Sequence, residues 1–155
     1  MFTSPDAVEL AIWYHDAIYN PLARDNESAS ADLLRAELTG LVVPEVVDLA
    51  EHLVRATADH RVPPGLPDPA AADCALFLDM DLAILGRPPD QFAAYEAAIE
   101  AEFRPHYDWL TYRAGRAAVL RALLQRNPIY LSASYRSHYE RSARDNIALA
   151  LARYS

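Results

Sequence analysis

The sequence predicts an all-α protein, and three observations favour that fold class. Apolar residues recur at spacings of three and four, which is the period of a helix, rather than at every second position as in a strand. The eleven prolines lie at the ends of these periodic stretches. The chain of 155 residues is 52% apolar, so we expect a single globular domain over residues 1–155.

Seven helices follow in order from these patterns. Ser4 and Pro5 suit the cap and first position of a helix that we expect to end near Ala17, because Asn20-Pro21 requires an extended or turn conformation. Residues 63–67 (PPGLP) form the one long loop. The same start and stop signals predict the remaining helices at Ser28–Leu41, Pro44–Asp59, Ala70–Leu85, Pro89–Leu110, Arg113–Gln125 and Ser134–Arg153.

The composition excludes several classes of function. With 22 acidic and 14 basic side chains, the chain has a net charge of −8 at pH 7 and repels nucleic-acid phosphates. Every basic residue is Arg, so neither a P-loop lysine nor a lysine Schiff base can form. The four glycines are scattered and make no phosphate loop, and the single cysteine, Cys74, permits neither an intramolecular disulfide nor a cysteine-based zinc cluster.

The expected location is the cytoplasm. The N-terminus lacks the basic region of an export signal, and no stretch reaches about 18 uninterrupted apolar residues. We therefore expect no membrane partner and no nucleic-acid partner.

Charge is divided unevenly along the chain. Residues 1–86 contain 15 acidic side chains and 4 Arg, whereas residues 87–155 contain 7 acidic side chains and 10 Arg. An acidic part that can hold a cation and a basic part that can hold an anion are what a metal-assisted phosphate enzyme needs.

Two polar residues fall on the apolar face of the first helix. His15 continues the stripe of Val8, Ala11 and Ile12, and Asp16 follows it, so both side chains are expected to face the core. A buried carboxylate has to be paired, protonated or bound to a cation. For His15 the alternative to a metal ligand is a hydrogen-bonded core histidine.

Two acids interrupt the apolar segment of residues 75–85. Asp79 and Asp81 are two positions apart on a helix that is apolar all round, so they point to opposite sides and a single site would use one of them. Hydrogen bonds from neighbouring Arg or backbone groups are the alternative role for both. His60 continues the apolar stripe of the third helix and is also expected to face inward.

Five blocks of sequence carry a resemblance that covers nearly the whole chain. They are residues 11–21 (AIWYHDAIYNP), 25–28 (DNES), 57–60 (TADH), 78–86 (LDMDLAILG) and 112–116 (YRAGR). In this order they resemble the HD-domain metal-dependent phosphohydrolase superfamily, and within it a bacterial branch of predicted HD phosphohydrolases.

The resemblance implies an HD-like helical bundle in which His and Asp side chains hold a divalent cation. It places His15, Asp16 and Asp81 as metal ligands, with Asp79 as the alternate to Asp81. Mn²⁺, Fe²⁺, Co²⁺, Ni²⁺ and Zn²⁺ all suit imidazole and carboxylate ligands.

The same resemblance implies further roles and a reaction. Asp16 and His60 are the catalytic candidates, and His60, Arg113 and Arg116 are the candidates for binding the substrate phosphate. Asn26, Glu27 and Thr57 are expected to support the ligands. The expected reaction is hydrolysis of a small phosphate ester or nucleotide by a metal-activated water.

One departure from the family pattern concerns its first ligand. That ligand is a His upstream of the His-Asp pair, and none of the fourteen residues before His15 is His. We expect three signature ligands instead of four, which corresponds to a miscalled start, to a deletion, or to completion of the set by His60 or by a neighbouring subunit. A chain without the N-terminal helices of the family would expose an apolar face, so we expect a homodimer. The alternative function is a catalytically weak or inactive HD-like protein that binds a ligand or regulates.

Overall fold

Proline marks the start of three of the seven helices. The structure is a computed structural model that describes residues 2–154. Pro5, Pro44 and Pro89 are each the first residue of a helix, where the missing N–H is not needed and φ already suits a helix. Two other helices begin after a side-chain cap, Asp108 in one and Ser132 in the other.

The chain divides into two compact units, Met1–Asp81 and Leu82–Ser155. Unit 1 consists of α1 (Pro5–Tyr14), α2 (Asn26–Leu38), α3 (Pro44–Ala56) and α4 (Asp68–Asp81). Unit 2 consists of a 3-10 helix (Leu82–Gly86), α5 (Pro89–Phe103), α6 (Trp109–Gln125) and α7 (Ala133–Arg153). The predicted all-α class is confirmed, since residues 2–154 form helices and loops without a β-strand.

In unit 1 the central element is α3, which packs against α1, α2 and α4. Leu53 and Val54 of α3 are fully buried, as are Val8 of α1, Leu34 of α2 and Leu78 of α4. Each such side chain contributes roughly 1.5–3 kcal/mol when it leaves water. This apolar centre holds together the three helices whose ends carry the candidate site.

In unit 2 the central element is α7, which packs against α5, α6 and the 3-10 helix. The buried Asn146 of α7 donates from Nδ2 to the carbonyls of Leu85 and Arg87, both at 2.8 Å. A β-carbon at Gly86 would lie 2.6 Å from Cβ of Tyr139, so glycine is required for this close approach. The 3-10 helix is thus fixed to α7 by hydrogen bonds and by the absence of a side chain.

The uneven charge of the sequence coincides with the two units. Because residues 82–86 are uncharged, unit 1 has the 15 acidic side chains and 4 Arg of the first part, for a net charge of −11. Unit 2 has the remainder, for a net charge of +3. The first unit therefore has the electrostatic character that attracts cations.

The first helix is shorter than expected, because it ends at Tyr14 rather than near Ala17. The backbone of Ile18 instead bonds to the buried Ser30 of α2, with the amide donating to Oγ at 3.0 Å and the hydroxyl donating to the carbonyl at 3.2 Å. The expectation that Asp16 faces the core is wrong for the same reason: it lies beyond the helix and is exposed.

Other helix boundaries also differ from expectation, and two of them change where α4 and α5 end. The predicted helix Pro89–Leu110 ends at Phe103, because Pro105 has no N–H to continue it, and Asp108 then caps α6. The predicted helix Ala70–Leu85 becomes 3-10 after Asp81. Asp81 is therefore the last residue of α4. Over residues 2–154, no helix combines the length and the apolar character that crossing a bilayer requires.

Candidate functional site

His15 is the C-cap residue of α1, and its imidazole is held by two contacts. Nδ1 lies 3.0 Å from the carbonyl oxygen of Ile12. Since a carbonyl only accepts, Nδ1 carries the hydrogen, and the neutral ring then has its lone pair on Nε2. The ring also meets Phe77 of α4 edge to face, with the centroids 6.1 Å apart. These contacts direct Nε2 away from its own helix.

Two carboxylates face this nitrogen. Nε2 of His15 lies 3.4 Å from Oδ2 of Asp16 and 3.6 Å from Oδ1 of Asp81. Both separations exceed an ordinary N–H···O hydrogen bond. With the ring neutral, three atoms that all bear lone pairs converge, and they repel one another unless a proton or a cation lies among them.

The separations also match those of ligands that share one ion. Nitrogen and oxygen ligands each about 2.1 Å from a tetrahedral ion lie about 3.4 Å from each other. An imidazole nitrogen with carboxylate oxygens is a donor set that divalent transition metals accept. The donor types and the two distances from Nε2 of His15 to the carboxylate oxygens are therefore those expected of ligands that share a divalent cation.

His60 joins the cluster from the end of α3. Its Nε2 lies 2.8 Å from Oδ2 of Asp81, so this carboxylate lies between two histidines. The backbone of His60 is in the left-handed region with φ of 51°, and its amide donates to the carbonyl of Ala56 at 2.9 Å. Such a conformation is uncommon outside glycine, and strain of this kind concentrates at functional sites.

Both ends of α1 meet α4, and this arrangement brings His15 to Asp81. At the start of α1, the buried carboxylate of Asp73 accepts hydrogen bonds from the amide and hydroxyl of Thr3 and from the amide of Ser4, at 2.7–3.1 Å. The Ser4 side chain makes no capping bond, although the sequence suggested one. A carboxylate of α4 caps α1 instead.

The exposure of the four side chains suits a site open to solvent. His15, His60 and Asp81 are between 21% and 27% exposed, and Asp16 is 67% exposed. Water and a small solute can reach the cluster from the side of Asp16.

The cluster does not form a closed ligand group. Among residues 2–154, no three His, Cys, Asp or Glu side chains are grouped as a metal site requires. His15 has a carboxylate oxygen on either side, but Asp81 uses its second oxygen to bind His60. The ligand types fit a cation, whereas the grouping of three ligands does not.

Of the two alternate ligands Asp79 and Asp81, Asp81 is the one in the cluster. Asp79 is 1% exposed and is absent from the contacts of His15 and His60 given above. The choice of Asp81 as the closing acid is therefore consistent with the geometry, although the metal role of either residue stays a prediction.

Three other residues expected to support the ligands have different surroundings. Asn26 makes two hydrogen bonds to the backbone of Asn20, in the loop after His15. Its side-chain nitrogen donates to the carbonyl of Asn20, and its side-chain oxygen accepts from the Asn20 amide, both at 2.9 Å. The buried Thr57 donates its hydroxyl to the Val54 carbonyl within α3. Glu27 is half-buried in the first turn of α2.

The two arginines proposed for phosphate lie on α6 of unit 2. The guanidinium of Arg116 is ion-paired with the buried Glu96 of α5, whose carboxylate also accepts from the Tyr154 hydroxyl at 3.1 Å. Burial lowers the pKa of Arg116, and the bonds and charge of Glu96 raise it by more, so the net pKa lies above its usual value. Arg113 is half-buried on the same helix. Their contact with a phosphate stays a prediction.

Asp73 is the residue that sequence reasoning missed. It lies on the same helix as Asp79 and Asp81, and a buried acid there signals a need for donors. The donors come from the other end of unit 1, and no local pattern indicates them.

No protein-family model, curated protein or solved structure gives a significant match to this chain. The residues of the cluster are therefore the main indication of function that this chain offers within residues 2–154.

Proposed function

We propose that this protein is an HD-type metal-dependent phosphohydrolase that acts on a small phosphate ester or nucleotide. The observation that carries the proposal is the approach of Asp16 and Asp81 carboxylate oxygens to Nε2 of His15, at 3.4 and 3.6 Å. These groups come from two stretches of chain, and His60 adds a third. The net charge of −11 on unit 1 adds long-range attraction for a cation.

His15, Asp16 and Asp81 are the residues that would hold the ion. The carbonyl of Ile12 fixes the His15 tautomer that leaves Nε2 free to bind it, as carbonyl partners do for metal-binding histidines. A divalent cation bound there would lower the pKa of its water to about 7 and polarise a phosphoryl oxygen. Mn²⁺, Fe²⁺, Co²⁺, Ni²⁺ and Zn²⁺ are the candidates.

The protein's own groups have three tasks in this proposal. Asp16, the most exposed of the four, accepts the proton of the attacking water on a carboxylate oxygen. Asp81 is held in position by its hydrogen bond to His60. The His60 ring is the group assigned to the negative charge of the substrate phosphate.

The test is release of inorganic phosphate by purified protein. The protein is stripped with chelator, reloaded with one divalent metal at a time, and offered p-nitrophenyl phosphate and a panel of nucleoside mono-, di- and triphosphates. We expect activity with at least one metal, and a fall of about 100-fold or more in kcat/KM for Asp81→Asn and His15→Gln. His52→Gln is the matched control, because His52 is an exposed histidine on α3 that is absent from the cluster.

Metal titration gives a second readout that is independent of the substrate. The wild type should bind about one Mn²⁺ or Ni²⁺ per chain, and His15→Gln should bind less tightly. Phosphatase activity that survives both the chelator and Asp81→Asn would remove the proposal.

A second candidate function is a ligand-binding or regulatory protein of the same architecture. The hydrogen bond between His60 and Asp81 favours it, since a closed group of three ligands is not formed within residues 2–154. Less than about a tenth of an equivalent of metal after incubation with Mn²⁺ or Ni²⁺, together with nucleotide binding, would support this candidate.

A further inference from the structure

A pocket of about 350 Å³ lies between α5 and α6, within unit 2. Its walls are mainly apolar and aromatic, with Ile99, Phe103, Tyr107 and Val119 among the lining residues. The rings of Phe103 and Tyr107 are stacked at an angle of 20° between their planes. Small-molecule sites are concave spaces of about this size with this kind of lining.

Gly115 forms part of the lining and is exposed. It lies in the interior of α6, where glycine costs about 1 kcal/mol relative to alanine. A β-carbon added there would meet no atom within 4 Å. The helix thus gives up stability at a position where a side chain would enter open space, and the result is a pocket that stays open.

The polar part of the pocket carries no net charge. Arg116 is the only charged residue in the lining, and the carboxylate of Glu96 neutralises it. That carboxylate is itself buried and accepts from Nε and Nη2 of Arg116 and from the Tyr154 hydroxyl. A charged ligand would find no opposite charge in this lining that is still unpaired, whereas a neutral ligand loses little on leaving water.

We propose that this pocket binds a neutral, flat molecule of about two rings. An engineered cavity of about 150 Å³ binds benzene, so a space more than twice that volume accommodates two fused rings. The aromatic walls favour a ring system over a branched aliphatic one, because ring pairs gain energy beyond the apolar area that they bury. The inference goes beyond the proposed phosphohydrolase activity, because the pocket contains none of the residues of the His-Asp cluster.

The test uses two fluorescent probes of equal size and different charge. 2-Naphthol is neutral near pH 7, and 2-naphthoate is an anion. We expect 2-naphthol to bind at one saturable site per chain, at least tenfold more tightly than 2-naphthoate. Gly115→Leu should weaken 2-naphthol binding at least tenfold, because the new side chain enters the pocket.

Ala114→Leu is the matched control, since Ala114 is exposed on the same helix and is not part of the lining. Its affinity should remain within twofold of the wild type. Circular dichroism of both variants verifies that they are folded, and the smaller substitution Gly115→Ala, which suits a helix, gives a second measurement if Gly115→Leu unfolds.

Three results would overturn the inference. The first is undiminished binding of 2-naphthol by folded Gly115→Leu, and the second is tighter binding of 2-naphthoate, which would indicate an anion site. The third is the absence of saturable 2-naphthol binding by the wild type. If sedimentation then shows a dimer that Gly115→Leu dissociates, the occupant is a second copy of the chain.

Discussion

Oδ2 of Asp81 lies 2.8 Å from Nε2 of His60, a residue whose backbone adopts a left-handed conformation with φ of 51°. The hydrogen bond links the last residue of α4 to the segment just after α3. A left-handed conformation costs a non-glycine residue roughly 1–2 kcal/mol, and the contact with Asp81 is one compensation for that cost. Substitutions at His60 can therefore separate the effect of its backbone conformation from the effect of its imidazole.

Replacing His60 by Gly and by Ala should give two different stabilities. Both variants lose the imidazole, but only glycine adopts positive φ without cost, so His60→Ala should be less stable than His60→Gly by about 1 kcal/mol. Urea denaturation measures the difference. Equal stabilities would mean that the chain does not keep this conformation when the imidazole is absent.

Metal-dependent activity should fall in both variants, although their stabilities differ. Neither can hold Asp81 through an imidazole, so both should lose at least about tenfold in the metal-dependent activity proposed above. Since His60→Gly is the more stable of the two, its loss of activity cannot be attributed to unfolding.

Asp73→Ala should destabilise unit 1 by about 2 kcal/mol at pH 7, because it removes the cap of α1 and leaves the partly buried backbone donors of Thr3 and Ser4 without this acceptor. Burial raises the pKa of Asp73, but hydrogen bonds from Thr3 and Ser4 lower it by more, so the pKa in the folded protein lies below its usual value. A depressed pKa contributes stability that is present above the unfolded value, about 3.9, and is lost as the pH falls through the folded value.

The difference in free energy of unfolding between wild type and Asp73→Ala should therefore keep its full value from pH 7 to about pH 5 and decrease below about pH 4. Urea denaturation at several pH values measures it. Asp68→Ala is the control on the same helix, and because Asp68 is exposed its cost should stay below about 1 kcal/mol. A constant difference across this pH range would show that the ionised Asp73 carboxylate is not the stabilising group.

Glu96 and Arg116 should behave as a coupled pair. Glu96→Gln or Arg116→Met alone leaves a buried charge without its partner and should cost about 3–5 kcal/mol. The double variant should cost less than the two single values together, by about 2 kcal/mol, in a double-mutant cycle measured by denaturation. Strict additivity would contradict this coupling.

The same double variant tests the expected phosphate role of Arg116. If Arg116 acts only through Glu96, the folded double variant should retain the phosphatase activity. Loss of activity in a folded double variant would support the role predicted from the sequence.

Cys74 should report the opening of unit 1. It is fully buried on α4, and burial raises the pKa of its thiol to about 11. At pH 8 the thiolate is then about a hundredfold or more scarcer than in an unfolded chain, where the thiol pKa is about 8.5. Reaction with a thiol reagent should be slower by at least that factor in the folded protein, and urea should restore it. Rapid labelling of the folded protein would show that unit 1 opens readily.

The sequence predicted the helices better than their ends. Within residues 2–154, each of the seven predicted helices has a matching α-helix, because apolar periodicity and proline both act within a few residues. The predicted helix ends were wrong where a group distant in sequence forms hydrogen bonds with the backbone. The first helix stops early because Ser30 of α2 binds the backbone of Ile18, and Asp16 is exposed in consequence.

The candidate site was predictable in its residues but not in its arrangement. His15, Asp16, Asp81 and His60 were all identified from the sequence, and the structure brings them together. Which of Asp79 and Asp81 lies in the cluster is seen only in the tertiary structure, where Asp81 contacts His15 and His60 and Asp79 is buried. The hydrogen bond of His60 to Asp81 likewise depends on a backbone conformation that is rare for histidine.

What the sequence by itself determined is the all-helical class, the approximate position of each helix and the acidic character of the first unit. The tertiary structure alone decided that Asp73 caps a helix 69 residues away, that Asp81 lies between two histidines, and that Arg116 is paired with Glu96. The physical reason is the distance along the chain over which each interaction acts. Helix formation depends on neighbours three and four positions apart, whereas a buried charge takes its partner from whichever distant element packs against it.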